Sequence, residues 1–142
     1  MGKRLRRLRM TPAIRSLVEE TSIDARRLIY PMFVCEGGGI RREISSMPGV
    51  YNFSIDELTR EVASFAHTSL GGIMLFGIPD TKDVTGTAGY AETGIVQKAV
   101  RAIKSEFPHL LVITDVCLCE YTSHGHCGLL GPSGEILNDE TV

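Results

Sequence analysis

Three short apolar runs predict the strands of this chain. They cover residues 28–34, 73–78 and 110–116, and each is nearly continuous and rich in β-forming side chains. Continuous rather than alternating hydrophobicity is typical of strands that are buried on both faces. Pro31 weakens the prediction for the first run, because proline cannot donate a hydrogen bond to a neighbouring strand.

Two amphipathic segments lie between these runs and predict helices. In the first, Ser54 and Glu57 have the spacing of a capping box, and apolar residues then recur at helical intervals up to Ala66. In the second, apolar residues recur from Ile95 to Phe107, and a proline follows. Strands that alternate with helices predict an α/β fold with about three parallel strands.

Residues 1–27 show no sustained periodicity and predict a basic N-terminal arm, although Thr11-Pro12 favours a short helical piece reaching Glu20. No long apolar run follows the basic residues, so we expect no membrane span or signal peptide and a cytoplasmic location. The formal net charge of -2 argues against a surface built for nucleic acid. Residues 28–142 form the second predicted unit, and a helix start at Asn138 leads us to expect that more polypeptide normally follows.

Candidate chemistry follows the third apolar run, where three of the four cysteines fall within eleven residues. Asp115, Cys117 and Cys119 have the spacing that places side chains on one face of an extended strand. The carboxyl ends of parallel strands are where active sites lie in such folds. Gly125 allows the loop to turn back, so that the thiol of Cys127 can reach those of Cys117 and Cys119.

Three thiolates favour Zn²⁺, which binds sulfur in tetrahedral geometry. The fourth position would be taken by His124 or His126 in a structural site, or by water or substrate in a catalytic one. We favour a simpler interpretation of both histidines, as loop residues bonded to the backbone. A catalytic dithiol and inert thiols are the alternatives to a metal site, and Cys35, which stands apart, is expected to be a buried small hydrophobe.

The segment at residues 113–128, ITDVCLCEYTSHGHCG, is similar to the zinc segment of the porphobilinogen synthase family, also called 5-aminolevulinate dehydratase. A match of this length is highly specific. Shorter likenesses extend it over nearly the whole chain, at residues 6–9, 28–34, 47–50 and 74–78. By this resemblance, Cys117, Cys119 and Cys127 are the zinc ligands, and Asp115 is an active-site acid beside them.

The resemblance implies a (β/α)8 TIM barrel of which this chain is the first part, with an arm that wraps a neighbouring subunit in a homo-octamer. It implies a lyase that condenses two 5-aminolevulinate molecules into porphobilinogen, an early step of tetrapyrrole and haem biosynthesis. The family's two Schiff-base lysines and an allosteric Mg²⁺ site would lie outside this chain. Lys82, Lys98 and Lys104 match neither lysine, and we expect them to face solvent. The chain alone is therefore expected to be inactive.

Two other functions are alternatives to the lyase. The first is a zinc-knuckle module that binds nucleic acid through the basic arm, which the scarcity of aromatic residues disfavours. The second is a redox or hydrolytic enzyme that uses Cys119 with His124 or His126, for which no orienting third group is evident.

Overall fold

The computed structural model describes residues 5–142, so Lys3 and Arg4 of the predicted arm lie outside the described residues. The strands are β1 (Ile29–Cys35), β2 (Arg41–Glu43), β3 (Tyr51–Phe53), β4 (Gly72–Ile78) and β5 (Val112–Thr114). The helices are α1 (Pro12–Leu17), α2 (Ile55–Phe65), α3 (Thr87–Tyr90), α4 (Ile95–Glu106) and α5 (Asn138–Thr141), with 3-10 turns at Arg7–Arg9 and Ala25–Arg27. No helix in residues 5–142 is long and apolar enough to cross a membrane.

The five strands form one mostly parallel sheet in the order β2-β3-β1-β4-β5. The three predicted strands are confirmed as β1, β4 and β5, and they are parallel neighbours. Met32 of β1 is opposite Leu75 of β4, which in turn is opposite Thr114 of β5. The predicted helices between these strands are confirmed as α2 and α4.

The chain makes two further strands between β1 and α2, which the sequence pattern does not predict. β3 runs parallel to β1, and β2 pairs antiparallel with β3 at the edge of the sheet. Each has only three residues, and all three residues of β2 are charged and exposed. A strand so short carries no hydrophobic periodicity, so the sequence pattern had no signal for it.

One face of the sheet packs against α2 and α4 and forms the core. The fully buried side chains on the strands are Met32, Val34, Ile73 and Leu75, and those on the helices are Leu58, Val62, Ala99 and Ile103. Burying each of the large aliphatic side chains contributes about 1.5–3 kcal/mol. The apolar stripes of α2 and α4 therefore cover one face of the sheet.

The expectation that the strands are buried on both faces was wrong within residues 5–142. On the face opposite the helices, Phe33 and Phe76 stack with ring centroids 5.3 Å apart, yet both rings are half-exposed. Met74 and Ile113 share this face and are half-exposed as well. An apolar run shows that both faces of a strand are apolar, but it does not show which element covers each face.

Helix α2 begins where the sequence predicts, but the predicted capping box does not form. Ser54 is the N-cap, and its hydroxyl makes no capping bond to the helix. The Ser54 hydroxyl instead accepts the Ile40 N–H at 2.8 Å, and the Asp56 carboxylate accepts the Gly39 N–H at 2.9 Å. These bonds tie the start of α2 to the glycine turn that follows β1.

Candidate metal and active site

The candidate site is built on the loop that follows β5. The strand ends at Thr114, so the prediction that Asp115, Cys117 and Cys119 lie on one face of a strand was wrong. The last backbone hydrogen bond to β4 is long, with the Asp115 N–H donating to the Leu75 carbonyl at 3.5 Å. Beyond it the chain turns, and both Tyr121 and Thr122 donate their N–H groups to the Leu118 carbonyl at 2.9 Å.

The turn at Leu118, rather than a strand, brings the three cysteines together. The sulfur atoms of Cys117 and Cys119 are 2.8 Å apart. The sulfur of Cys127 accepts the N–H of Leu118, which lies between them, at 3.1 Å. All three thiols are therefore adjacent to one turn of backbone, and Cys35 is buried apart from them, as expected.

The local hydrogen bonds shift the pKa values of two of these thiols in opposite directions. The bond with the Cys119 thiol, followed by partial burial, raises the pKa of Cys117 to about 12. The Leu118 N–H, followed by the bond with Cys117, lowers the pKa of Cys127. The Leu118 N–H therefore favours the thiolate form of Cys127, whereas the bond with Cys119 favours the thiol form of Cys117.

The donor set fits zinc by its chemistry. Within residues 5–142, no three His, Cys, Asp or Glu side chains have the geometry to hold a metal ion without rearrangement. A tetrahedral zinc ion with Zn–S bonds of about 2.3 Å keeps its sulfur ligands about 3.8 Å apart, so Cys117 and Cys119 would have to separate by about 1 Å. Both residues lie on irregular backbone at the turn, where side-chain rotation can supply that change.

His124 is bonded to the backbone through both ring nitrogens, as we expected of a loop histidine. Its Nε2 lies 3.2 Å from the Val84 carbonyl, and its Nδ1 accepts the His126 N–H at 3.2 Å. Since Nδ1 accepts, Nε2 carries the proton and donates to Val84. The His126 ring stacks on that of His124, with ring centroids 5.7 Å apart.

The loop after β4 supports the cysteine loop through Asp83, a residue that the sequence analysis missed. The Asp83 N–H donates to the Tyr121 carbonyl at 3.3 Å, and its carbonyl accepts the Ser123 N–H at 2.8 Å. The Asp83 carboxylate accepts bonds from Thr87 and Thr85 at the start of α3, which lower the pKa of Asp83 to about 2. Two loops that follow adjacent strands are therefore joined.

Tyr121 is a second residue that the sequence analysis missed. Its side chain is 8% exposed and packs against Gly77 of β4 and Gly89 of α3. A Cβ at Gly89 would lie 2.9 Å from Cδ2 of the Tyr121 ring, so the ring needs glycine at this contact. Burial, and then the charges of Glu120 and Asp115, raise the pKa of Tyr121 to about 12.

A cavity of about 990 Å³ adjoins the cysteine loop. Its lining includes Asp115, Cys117, Tyr121 and Cys127, together with Val100 of α4. Asp115 is exposed. The partial burial of Glu120, and then the negative charge of Asp115, raise the pKa of Glu120. The arrangement places an acidic group and two of the three thiols at one concave surface, where a small polar molecule has room.

The three lysines named in the sequence analysis differ in their surroundings. Lys82 is exposed, as expected. Lys98 is half-buried and pairs with Glu36, with Nζ 3.0 Å from Oε1, while Lys104 donates to the Pro108 and Leu110 carbonyls. The Lys98 side chain is 41% exposed, so it faces solvent as expected but is also paired with Glu36, which follows β1 close to α4.

Comparison with known proteins identifies what this arrangement resembles. The family model for delta-aminolevulinic acid dehydratase matches residues 2–142. The delta-aminolevulinic acid dehydratase of Halalkalibacterium halodurans is 51% identical over 140 residues, which are 99% of this chain and 42% of that protein. That of Methanothermus sociabilis is 50% identical over 139 residues, or 98% of this chain and 43% of that protein.

A solved structure agrees with the sequence comparisons. The delta-aminolevulinic acid dehydratase (porphobilinogen synthase) from Toxoplasma gondii, in complex with the reaction product porphobilinogen, superposes with a TM-score of 0.91 at 36% identity. The match covers 99% of this chain and 41% of that chain. The present chain thus spans less than half the length of these three relatives.

Proposed function

The chain belongs to the delta-aminolevulinic acid dehydratase family, and on that premise we propose that it takes part in the condensation of two 5-aminolevulinate molecules into porphobilinogen. The observation that carries this proposal is the meeting of Cys117, Cys119 and Cys127 around the Leu118 turn, beside Asp115 at a cavity. The parallel order of β3, β1, β4 and β5 supports a further proposal, that residues 28–142 form the first part of a TIM barrel.

The three cysteines would hold Zn²⁺ as thiolates. When bound, the ion would supply Lewis-acid chemistry that polarises a substrate carbonyl or lowers the pKa of a substrate amine. The N–H of Leu118 stabilises negative charge on Cys127, which favours the ligating form of that thiol. We propose that the family's allosteric Mg²⁺ site does not involve this chain.

Asp115 would act as the active-site acid. It is exposed at the cavity beside Cys117, so its carboxyl group can reach a substrate held there and exchange a proton with it. Tyr121 and α4 bound the same cavity and limit where a substrate can lie.

Residues 1–27 would form an arm that contacts another subunit in a homo-oligomer, an octamer by family likeness. Within the described part of this segment, neither α1 nor the 3-10 turns contain a buried residue, and Leu5, Leu17 and Ile23 are more than 80% exposed. The number of exposed apolar side chains on this one segment supports the proposal that it packs on a partner surface. The reducing cytoplasm, where thiols stay available for metal, is the location that we propose.

Porphobilinogen formation in a chimaera tests the proposed function. The matching segment of the Halalkalibacterium halodurans dehydratase would be replaced by this chain, which is similar to it over 140 residues. We expect the chimaera to convert 5-aminolevulinate to porphobilinogen with added Zn²⁺. Replacing Cys117, Cys119 or Cys127 by Ser should lower the rate at least 100-fold, in the upper range for lost metal-site interactions.

Cys35→Ala in the same chimaera is the matched control, because Cys35 is buried away from the loop. It should leave the zinc-dependent rate within about threefold of the parent, since a small buried side chain is exchanged for another. The 142-residue chain alone should make no porphobilinogen, because no lysine of residues 5–142 lines the cavity, where its amine could form an imine. A chimaera that folds but stays inactive with Zn²⁺, or turnover by the 142-residue chain alone, would contradict the proposal.

A further inference from the structure

We propose that His124 is a positioning residue, which holds Cys127 in place for metal binding through hydrogen bonds at both ring nitrogens. This inference rests on the proposed function. Its Nε2–H donates to the Val84 carbonyl of the loop after β4. Its Nδ1 accepts the N–H of His126, the residue before Cys127. One imidazole thereby joins the loop after β4 to the segment that carries the third thiol.

The backbone alone does not hold this segment. Backbone hydrogen bonds hold the loop up to Gly125, whose N–H donates to the Thr122 carbonyl at 3.3 Å, and they resume at Leu129, whose carbonyl accepts the Leu137 N–H. Within the described part of the chain, residues 126–128 make no hydrogen bond from backbone to backbone. Gly125, with φ of +74°, starts this stretch in a conformation that only glycine adopts freely.

Two side chains take over where the backbone bonds stop, and both act on His126. The ring of His124 accepts the His126 N–H, and the hydroxyl of Thr122 donates to the His126 carbonyl at 2.8 Å. Thr122 is 1% exposed, so its hydroxyl is a fixed point. Since Cys127 follows directly, these two bonds set the position of its sulfur together with the Leu118 N–H, which donates to that sulfur.

His126 itself offers a contrast within the same loop. Its ring is exposed, and within residues 5–142 neither ring nitrogen makes a hydrogen bond. If the loop needed a histidine only as a metal ligand, the exposed ring of His126 would be the freer of the two to turn towards an ion. The bonds of His124 to two backbone groups instead indicate a role in shaping the loop.

Cobalt titration of the 142-residue chain tests this role, because Co²⁺ bound to thiolates gives a charge-transfer absorption that reports sulfur ligation directly. His124→Ala should weaken Co²⁺ binding about tenfold, the effect expected from losing one or two neutral hydrogen bonds. His124→Asn keeps an acceptor near the place of Nδ1, and His124→Gln keeps a donor near that of Nε2. Each should restore part of the affinity. His126→Ala, the matched control, should bind within about twofold of the parent.

The outcomes separate this inference from the proposed function. If the parent chain shows no sulfur-to-cobalt absorption, the metal site itself is wrong. If the parent binds through its cysteines and His124→Ala binds equally well, only the role of His124 is wrong. Equal losses in His124→Ala and His126→Ala, with no recovery in the Asn and Gln variants, would also overturn the inference, because they would indicate direct ligation by histidine.

Discussion

Replacing Gly77 by Ala should destabilise the chain through the packing of Tyr121. A Cβ at Gly77 would overlap the Tyr121 hydroxyl, and it would lie 2.8 Å from Cγ2 of Val96 and 3.2 Å from Cζ of Tyr121. The ring cannot move aside freely, because Gly89 lies against another edge of it. Steric relief would therefore require a shift of the loop that carries the cysteines.

The size of the effect follows from two opposing terms. Forcing an extra carbon into a packed site costs about 1–3 kcal/mol. Replacing a glycine by alanine lowers the conformational entropy of the unfolded chain, which stabilises the folded state by about 0.4–1 kcal/mol. The free energy of unfolding should thus fall by about 1–2 kcal/mol, which for a chain of this size lowers the melting temperature by about 3–6 °C.

Urea unfolding of the purified chain, followed by circular dichroism, would measure this change. Several chain concentrations would separate self-association through the half-exposed face of the sheet from folding. Gly38→Ala is the matched control, because a Cβ there meets no atom within 4 Å. Adding Tyr121→Phe to Gly77→Ala removes the hydroxyl that the new Cβ would overlap. The double variant should be about 1 kcal/mol more stable than the sum of the two single changes predicts.

Two results would refute this reasoning. One is a Gly77→Ala chain as stable as Gly38→Ala, which would mean that the ring moves without cost. The other is strict additivity of Gly77→Ala and Tyr121→Phe, which would mean that the two positions are not in contact.

Three further predictions concern the surroundings of the site. The lowered pKa of Asp83 contributes stability that is present above about pH 4 and lost as the pH falls towards about 2; Asp83→Asn should show a smaller loss in acid unfolding, and an unchanged pH profile would contradict this. Lys98→Met should change the free energy of unfolding by less than about 1 kcal/mol, because its pair with Glu36 is partly exposed; a larger loss would mean that the pair is better shielded from water. Ser54→Ala should cost about 1–3 kcal/mol in urea unfolding, because it leaves the Ile40 N–H without its acceptor; a neutral result would indicate that water replaces the hydroxyl.

Much of the fold could be predicted because its main elements are long and strongly patterned. The strands β1 and β4 have seven residues each, and α2 and α4 each complete about three turns with a continuous apolar stripe. The family could be identified as well, because residues 113–128 match it over an unbroken segment. The short strands β2 and β3 could not be predicted, because they depend on pairing with β1 rather than on their own pattern.

The candidate site was predictable in its residue types but not in its geometry. The clustering of the thiols follows from their spacing and from the glycine in the loop, whereas the Leu118 turn that joins them has no sequence signature. Asp83 and Tyr121 contribute through contacts with elements about 30 or more residues away in the chain, and such contacts leave no mark on local periodicity. Packing across the fold decides these features.

X-ray absorption at the zinc edge of the Zn²⁺-loaded chain tests the central claim most directly, because it counts the sulfur atoms around the ion. We expect one Zn²⁺ per chain with three sulfur ligands at about 2.3 Å, and two sulfur ligands in Cys127→Ser. The third sulfur would then be the one that the Leu118 N–H contacts. A parent chain with fewer than three sulfur ligands, or a spectrum that Cys127→Ser leaves unchanged, would contradict the account.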